Sequence, residues 1–165
     1  MSEATVDPVH GTRYAFERHG EDMLVETWME SGGGLPKHYH PKQTEIWWVV
    51  SGEVTVHFDG DWKPFTPETG KVNVTPGIVH GFKNESGAEA HLRCEVKPAL
   101  SLEEFLVESS HAAREGLFMK GGIPKSLKGA RWAAGFLARH EDETVMTFPP
   151  RFVQKAMKPL APRGS

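Results

Sequence analysis

The chain has 165 residues, of which 38% are hydrophobic and 25% charged, and this composition excludes disordered, fibrous and long multidomain chains. Its one cysteine, Cys94, excludes an intramolecular disulfide and a cysteine metal cluster, and we expect this thiol to be a small buried hydrophobe. No apolar run reaches the roughly 18 residues that a membrane span requires, and the N-terminus lacks the pattern of a signal peptide. We therefore expect a cytoplasmic protein.

Charge is unevenly distributed behind the net value of −3. Residues 1–110 carry nine basic and eighteen acidic side chains, whereas residues 111–165 carry ten basic and four acidic. We expect the basic tail to dock on the acidic body or on a neighbouring subunit, and we expect neither nucleic-acid nor membrane binding.

Residues 12–97 predict a run of short β-strands. Branched and aromatic side chains alternate there with polar ones, between turns rich in Gly, Pro and Asp, which favours a sandwich or barrel. The predicted strands are 12–18, 23–30, 37–40, 45–50, 53–58, 71–75, 80–84 and 91–97.

After Pro98 the pattern becomes helical. Ser101 and Glu104 have the spacing of a capping box, which predicts a helix over 101–115. A second helix is predicted over 125–140, and a third begins at Pro149 and Pro150 and includes Leu160 on its apolar face. The last five residues, 161–165, are expected to be a frayed tail. We therefore divide the chain into a β-barrel domain, 1–100, and a helical extension, 101–165, packed on the barrel or on a partner subunit.

The candidate chemical site is a group of histidines and a glutamate. His38 and His40 are two residues apart, so on a strand both side chains point to one face and can chelate one ion. Glu45 follows after a turn, and Gly52 permits the next tight hairpin. His80 comes directly after the turn at Pro76 and Gly77. Imidazoles and a carboxylate suit a divalent transition metal.

These residues carry a family resemblance. Two motifs of the cupin superfamily are matched, and the spacing is similar to that of small single-domain bacterial cupins of the conserved-barrel type. The matched residues are Gly32, His38, His40, Glu45 and Gly52 in the first motif and Gly70, Pro76, Gly77, His80 and Asn84 in the second.

The resemblance implies a mainly β fold, the cupin jelly-roll barrel or double-stranded β-helix, followed here by C-terminal α-helices. It also implies that one divalent metal is bound by His38, His40, Glu45 and His80. Iron or manganese is the expectation from the family, and nickel, zinc and copper stay open because the ligand types do not separate them.

Alternation along the strand of Glu45 predicts which side chains surround the metal. Trp47 and Val49 should point inward with Glu45, whereas Trp48 should point outward and need a cover from the extension or a second subunit. A homodimer is expected by resemblance. Trp47 and Phe82, with Trp28 or Met29, are predicted to line an apolar pocket for a small organic molecule, aromatic ones included, rather than a phosphosugar.

Several functions fit this pattern. The first is a metal-dependent enzyme, an oxidoreductase of the dioxygenase kind, in which Glu45 acts as a base. The alternative is a non-catalytic barrel that binds or senses a small molecule through the metal. A metal-free sugar epimerase is a third. Cys94 lies apart from both motifs and the tyrosines are Tyr14 and Tyr39, which argues against the crosslinked thiol dioxygenases.

Overall fold

The computed structural model describes residues 1–157, which fold into two antiparallel sheets, a short hairpin and three α-helices. The strands are β1 (Thr5–Asp7), β2 (Thr12–His19), β3 (Asp22–Met29), β4 (Gly34–Tyr39), β5 (Thr44–Ser51), β6 (Val54–Phe58), β7 (Asp61–Phe65), β8 (Val72–Val74), β9 (His80–Lys83), β10 (Ala90–Lys97), β11 (Phe118–Met119), β12 (Ile123–Pro124) and β13 (Val145–Met146). The helices are α1 (Leu102–Arg114), α2 (Leu127–Arg139) and α3 (Arg151–Met157).

Two sheets form the barrel. One has the order β1-β2-β3-β10-β5-β8, the other has the order β13-β4-β9-β6-β7, and every neighbouring pair in them is antiparallel. Trp47 and Leu92 of the first sheet meet Val56 and Phe82 of the second in one buried cluster, so the core lies between the sheets. The predicted mainly β jelly roll with C-terminal helices is confirmed.

All eight predicted strands form, with ends within a few residues of the prediction. The prediction missed β7, which contains Pro64; proline lacks a backbone N–H and is confined to sheet edges, where β7 lies. It also missed β1, β11, β12 and β13, since strands of two or three residues are too short to show alternation.

Strand β5 shows the expected alternation. Glu45, Trp47 and Val49 are buried, and Trp48 lies on the outer face, half-buried. The side chain found over the Trp48 ring is Lys71, whose Nζ is 4.1 Å from the ring centre. The cover expected from the extension or a second subunit is thus supplied, at least in part, by the barrel itself through a cation–π contact.

The described part of the extension lies against the barrel. Leu102 of α1 is buried in a cluster with Tyr14, Phe16 and Met23 of the barrel. The predicted capping box at Ser101 does not form, because the Ser101 hydroxyl instead donates to the Glu143 carboxylate at 2.5 Å. The third helix begins at Arg151, and the expectations for Leu160 and for 161–165 lie outside the described residues. None of the helices formed by 1–157 has the length and apolar character that crossing a bilayer demands.

Candidate metal centre

Three histidines from two strands meet at one end of the barrel. His38 lies on β4 and pairs directly with His80 on β9, and His40 follows one residue after β4. The ring centres are 4.3 Å apart for His38 and His80, 5.0 Å for His38 and His40, and 5.3 Å for His40 and His80. One nitrogen of each ring lies within 4.8 Å of the others, which is a grouping able to hold a metal ion.

The turn before His80 explains how the two strands are brought together. Gly77 has a φ of 86°, a conformation that glycine adopts without strain. Its N–H donates to the carbonyl of His40 at 2.9 Å. The Pro76–Gly77 turn therefore ties the end of β4 to the start of β9.

Each imidazole is oriented by a backbone carbonyl. The Nδ1 atoms of His38, His40 and His80 lie 2.8, 2.9 and 2.9 Å from the carbonyl oxygens of Pro36, Glu143 and Ile78 respectively. A carbonyl only accepts, so each Nδ1 carries the hydrogen. In the neutral ring the lone pair is then on Nε2, which is the arrangement found in metal-binding histidines.

Glu45 faces two of these nitrogens. Its carboxylate oxygens lie 3.2 Å from His40 Nε2 and 3.0 Å from His80 Nε2, and neither buried nitrogen has a hydrogen-bond partner among residues 1–157. Lone pairs and a carboxylate at this separation repel each other unless a cation lies between them. Three imidazole nitrogens and one carboxylate suit a divalent transition metal, so the residues fit such an ion.

Protonation follows from the same contacts. Burial disfavours the charged form of Glu45, but His40 and His80 outweigh it and hold the pKa of the carboxyl well below its usual range. Burial likewise opposes charge on His40, yet the nearby Glu45 raises the pKa of that ring. Burial, with His80 and His40, holds the pKa of His38 well below its usual range. An ionised Glu45 and a neutral His38 are the forms that metal binding requires, whereas the raised pKa of His40 favours a proton that a metal would have to displace.

An apolar cavity of about 420 Å³ adjoins the histidines, and His38, His40 and Glu45 are part of its wall. Of the residues predicted to line a pocket, Met29, Trp47 and Phe82 do so. Trp28 does not: it lies on the opposite face of β3, because Met29 points inward and adjacent strand residues alternate. There it stacks on His91, with ring centres 4.8 Å apart.

A lid over the barrel mouth is one role that the sequence leaves open for the extension, beside a dimer arm and a surface helix, but no wall residue from the extension was predicted. Its contribution consists mainly of apolar side chains of α1, α2 and the segments between and after them, including Phe105, Leu106, Phe118, Trp132, Phe136 and Met146. The helical spacing of apolar residues predicted that these helices bury one face, but carried no information on what that face covers.

Cys94 also lines the cavity. Burial first, and the charge of Glu45 second, raise the pKa of its thiol well above the usual value. The thiol therefore stays protonated at neutral pH, but it is half-buried rather than fully buried as the sequence predicted, because it faces the cavity.

The fold and the histidine cluster together define a jelly-roll barrel with a candidate metal centre at one end. Residues 25–96 match the family model described as a cupin domain. This segment of the chain is thus a cupin domain.

Known relatives give further context. An oxidoreductase of Arthrobotrys oligospora is 28% identical over 127 residues, which cover 72% of this chain and 50% of that protein. A probable oxidoreductase of Aspergillus clavatus, patJ, is 41% identical over 49 residues, covering 30% of this chain and 15% of that one. The chain thus spans half or less of these curated relatives.

Among solved structures, an RmlC-like cupin from Shewanella frigidimarina is similar, with 25% identity and a TM-score of 0.54. The match covers 61% of this chain and 87% of that one. It therefore extends over most of the relative's barrel and leaves a large part of the present chain unmatched.

Proposed function

We propose that the chain is a metal-dependent enzyme that binds one divalent transition metal through His38, His40, Glu45 and His80 and acts on a small apolar organic molecule. The observation that carries this proposal is the pair of buried, partnerless Nε2 atoms of His40 and His80 facing the Glu45 carboxylate. Iron or manganese is proposed first, in line with the family resemblance.

When bound, the ion would supply a redox centre or a Lewis acid for an oxidation of the dioxygenase kind. The histidines would hold it in the tautomer fixed by their backbone partners. Glu45 is the proposed base: it forms part of the cavity wall, and once released from the metal its carboxylate could accept a proton from the substrate there.

The cavity supports an apolar substrate. Its volume falls within the range of about 300–1,000 Å³ typical of small-molecule sites. Among the wall residues within 1–157, Arg93 is the one arginine or lysine, and its Nε donates at 2.7 Å to Glu26 on the outer face of the sheet. A phosphosugar would need several convergent cations, so this wall favours an aromatic or aliphatic molecule. The two fungal relatives named as oxidoreductases support oxidation as the reaction class.

A non-catalytic binding or sensing barrel is the second candidate. It is favoured by the contact of Glu143 and Thr144 with His40, because occupancy of the site would be transmitted to the extension. A cytoplasmic homodimer is also proposed, with the outer face of β5, where Val50 is exposed, as the subunit contact. Light scattering after size-exclusion chromatography tests the dimer.

The test of function is oxygen uptake by protein loaded with Fe²⁺ or Mn²⁺, screened against a panel of small aromatic and aliphatic compounds. Glu45→Gln is the inactive control, and Glu26→Gln is a matched carboxylate change on the other face of the sheet. Uptake that needs both compound and metal supports the enzyme. Compound binding without turnover supports the sensor, and binding of no compound contradicts both.

A further inference from the structure

Segment 140–147 of the extension reaches the strand that carries His38 and His40. The His40 Nδ1–H donates to the carbonyl of Glu143 at 2.9 Å, and Thr144 Oγ1 lies 3.3 Å from the same nitrogen. Val145 and Met146, which form β13, pair with Tyr39 and His38. The orientation of His40 thus depends on a residue 103 positions further along the chain.

We propose that segment 140–147 is an integral part of the metal centre and that Glu143 is the positioning residue that holds it there. The inference rests on the proposed metal binding and adds a second determinant of it, outside the cupin motifs.

Glu143 joins two parts of the molecule through its two ends. Its carbonyl accepts the hydrogen of His40 Nδ1, and its carboxylate accepts hydrogen bonds from the hydroxyl of Ser101 at 2.5 Å and from the backbone N–H of Ser101 at 3.1 Å. Ser101 is the residue that precedes α1, where the helix dipole favours a negative charge. Since Leu102 is buried in the barrel core, α1 gives this carboxylate a fixed support.

The far end of the segment has its own anchor. The backbone N–H of Thr147 donates to the carbonyl of Lys37 at 3.0 Å, and its hydroxyl donates to the same oxygen at 2.9 Å. Loss of the Glu143 side chain should therefore loosen the carbonyl at His40 without detaching the whole segment from β4.

Two consequences follow from this arrangement. Partners that orient a metal-binding histidine typically change metal affinity by about 10–100-fold when they are lost. Coupling between two binding events is reciprocal. If docking of the segment increases metal affinity by a given factor, metal binding should increase the equilibrium constant for docking by the same factor. For the partial loosening expected here, the smaller factor of about tenfold applies.

The test compares Glu143→Ala with Asp142→Ala in the full chain. Asp142 is the matched control, because its carboxylate is 81% exposed and its contact with Lys42 Nζ is 3.7 Å long, and such surface pairs contribute little. Calorimetric titration with Zn²⁺ and with Mn²⁺ should give a Kd about tenfold weaker for Glu143→Ala, within about twofold of wild type for Asp142→Ala, and largely restored for Glu143→Gln, whose amide oxygen can still accept from Ser101.

Hydrogen exchange gives the reciprocal measurement. Adding Zn²⁺ should slow exchange across 140–147 in the wild type and in Asp142→Ala, and slow it less in Glu143→Ala. If Glu143→Ala does not fold, Thr144→Val and Ser101→Ala should each weaken binding in the same direction.

Equal Kd values for the wild type, Glu143→Ala and Asp142→Ala would overturn the inference. Unchanged Kd values for Thr144→Val and Ser101→Ala would overturn it too, as would hydrogen exchange across 140–147 that is the same with and without Zn²⁺. A wild type that binds neither ion would instead overturn the proposed metal function itself, so the two failures are distinguishable.

Discussion

Two buried carboxylates in the same sheet lie in opposite situations. Glu26, on the outer face of β3, accepts from Arg93 Nε at 2.7 Å and contacts His91 Nε2 at 2.5 Å. Glu45, on the inner face of β5, faces His40 and His80, whose Nδ1 hydrogens are already donated to backbone carbonyls. Both glutamates are at least 93% buried, since their exposed fractions are 2% and 7%.

The difference shows which buried charge belongs to a site. Glu26 has a permanent cation beside it, so its cluster is complete and serves the stability of the sheet. Glu45 faces two imidazole nitrogens that lack a hydrogen when the rings are neutral, so its cluster is complete only when it takes up a proton or a metal ion. Burial alone would not have separated the two glutamates; the direction of the imidazole hydrogens does.

The largest expected effect is on metal affinity. Glu45→Gln should weaken binding of Mn²⁺ or Zn²⁺ by at least about 100-fold, or about 2.7 kcal/mol, because it removes the one anionic ligand. Glu26→Gln should leave the Kd within about twofold, since its cluster lies on the other face. Calorimetric titration of both variants measures this, and similar losses in the two would break the comparison.

The free energy of unfolding should be affected in the reverse order, more by Glu26→Gln than by Glu45→Gln. Glu26→Gln leaves the guanidinium of Arg93 without its anion and should cost about 2 kcal/mol of the free energy of unfolding, with the partial exposure of Arg93 keeping the cost below that of a fully buried pair. Metal-free Glu45→Gln should change it by less than about 1 kcal/mol, because the loss of the contact with His40 is offset by relief of carboxylate burial. Urea unfolding in a chelator distinguishes these values, and a larger cost for Glu45→Gln would contradict this reading.

The pH dependence of the two properties should be opposed. Glu45 raises the pKa of His40 above 6.5, so at pH values below that raised pKa a metal ion must displace a proton from His40. In that pH range metal affinity should fall about tenfold, or about 1.4 kcal/mol, for each unit by which the pH decreases. In the metal-free protein, the same ion pair contributes its full stability below pH 6.5 and loses it as the pH rises through the raised pKa.

Titration and unfolding at matched pH values, with Glu45→Gln as the control, check both trends. In that variant the fall in affinity should begin at a lower pH. Metal affinity that does not change across this window would show that His40 binds no metal.

The smallest effect is expected at Trp28. Its ring stacks on His91 and lies 5.2 Å from the Arg13 guanidinium, so Trp28→Ala should cost about 1 kcal/mol of stability or less and leave metal and compound binding unchanged. Phe82→Ala, in the cavity wall, should weaken binding of any compound found in the screen. Thermal unfolding measures the stability of the two variants, and competition binding measures their affinity for the compound. Weaker compound binding by Trp28→Ala would show that Trp28 lines the pocket after all.

Local spacing in the sequence predicted the barrel and the grouping of three histidines, His38, His40 and His80, beside which Glu45 faces two of the rings. A gap of two residues fixes the face of a strand, and a Pro–Gly turn sets where the next strand begins, so both features can be predicted from neighbours in the chain. The same alternation would also have separated Met29 from Trp28 once the inward face of β3 was known.

The contribution of the extension could not be predicted in this way. The contact between His40 and Glu143 joins residues 103 positions apart through a two-residue strand that has no pattern of its own. Ser101 resembles a capping residue, but its hydroxyl prefers the Glu143 carboxylate over the helix backbone. In both cases a tertiary contact determines the local structure, and neighbouring residues in the sequence do not predict that contact.

The most direct test of the metal centre is the metal content of the purified chain, compared with a His38→Ala, His80→Ala double variant. Both proteins would be reconstituted with Fe²⁺ or Mn²⁺ and analysed after removal of free ion. About one equivalent in the wild type and almost none in the variant is the predicted result. Equal content in the two proteins, or none in the wild type, would contradict the proposal that these histidines form a metal site.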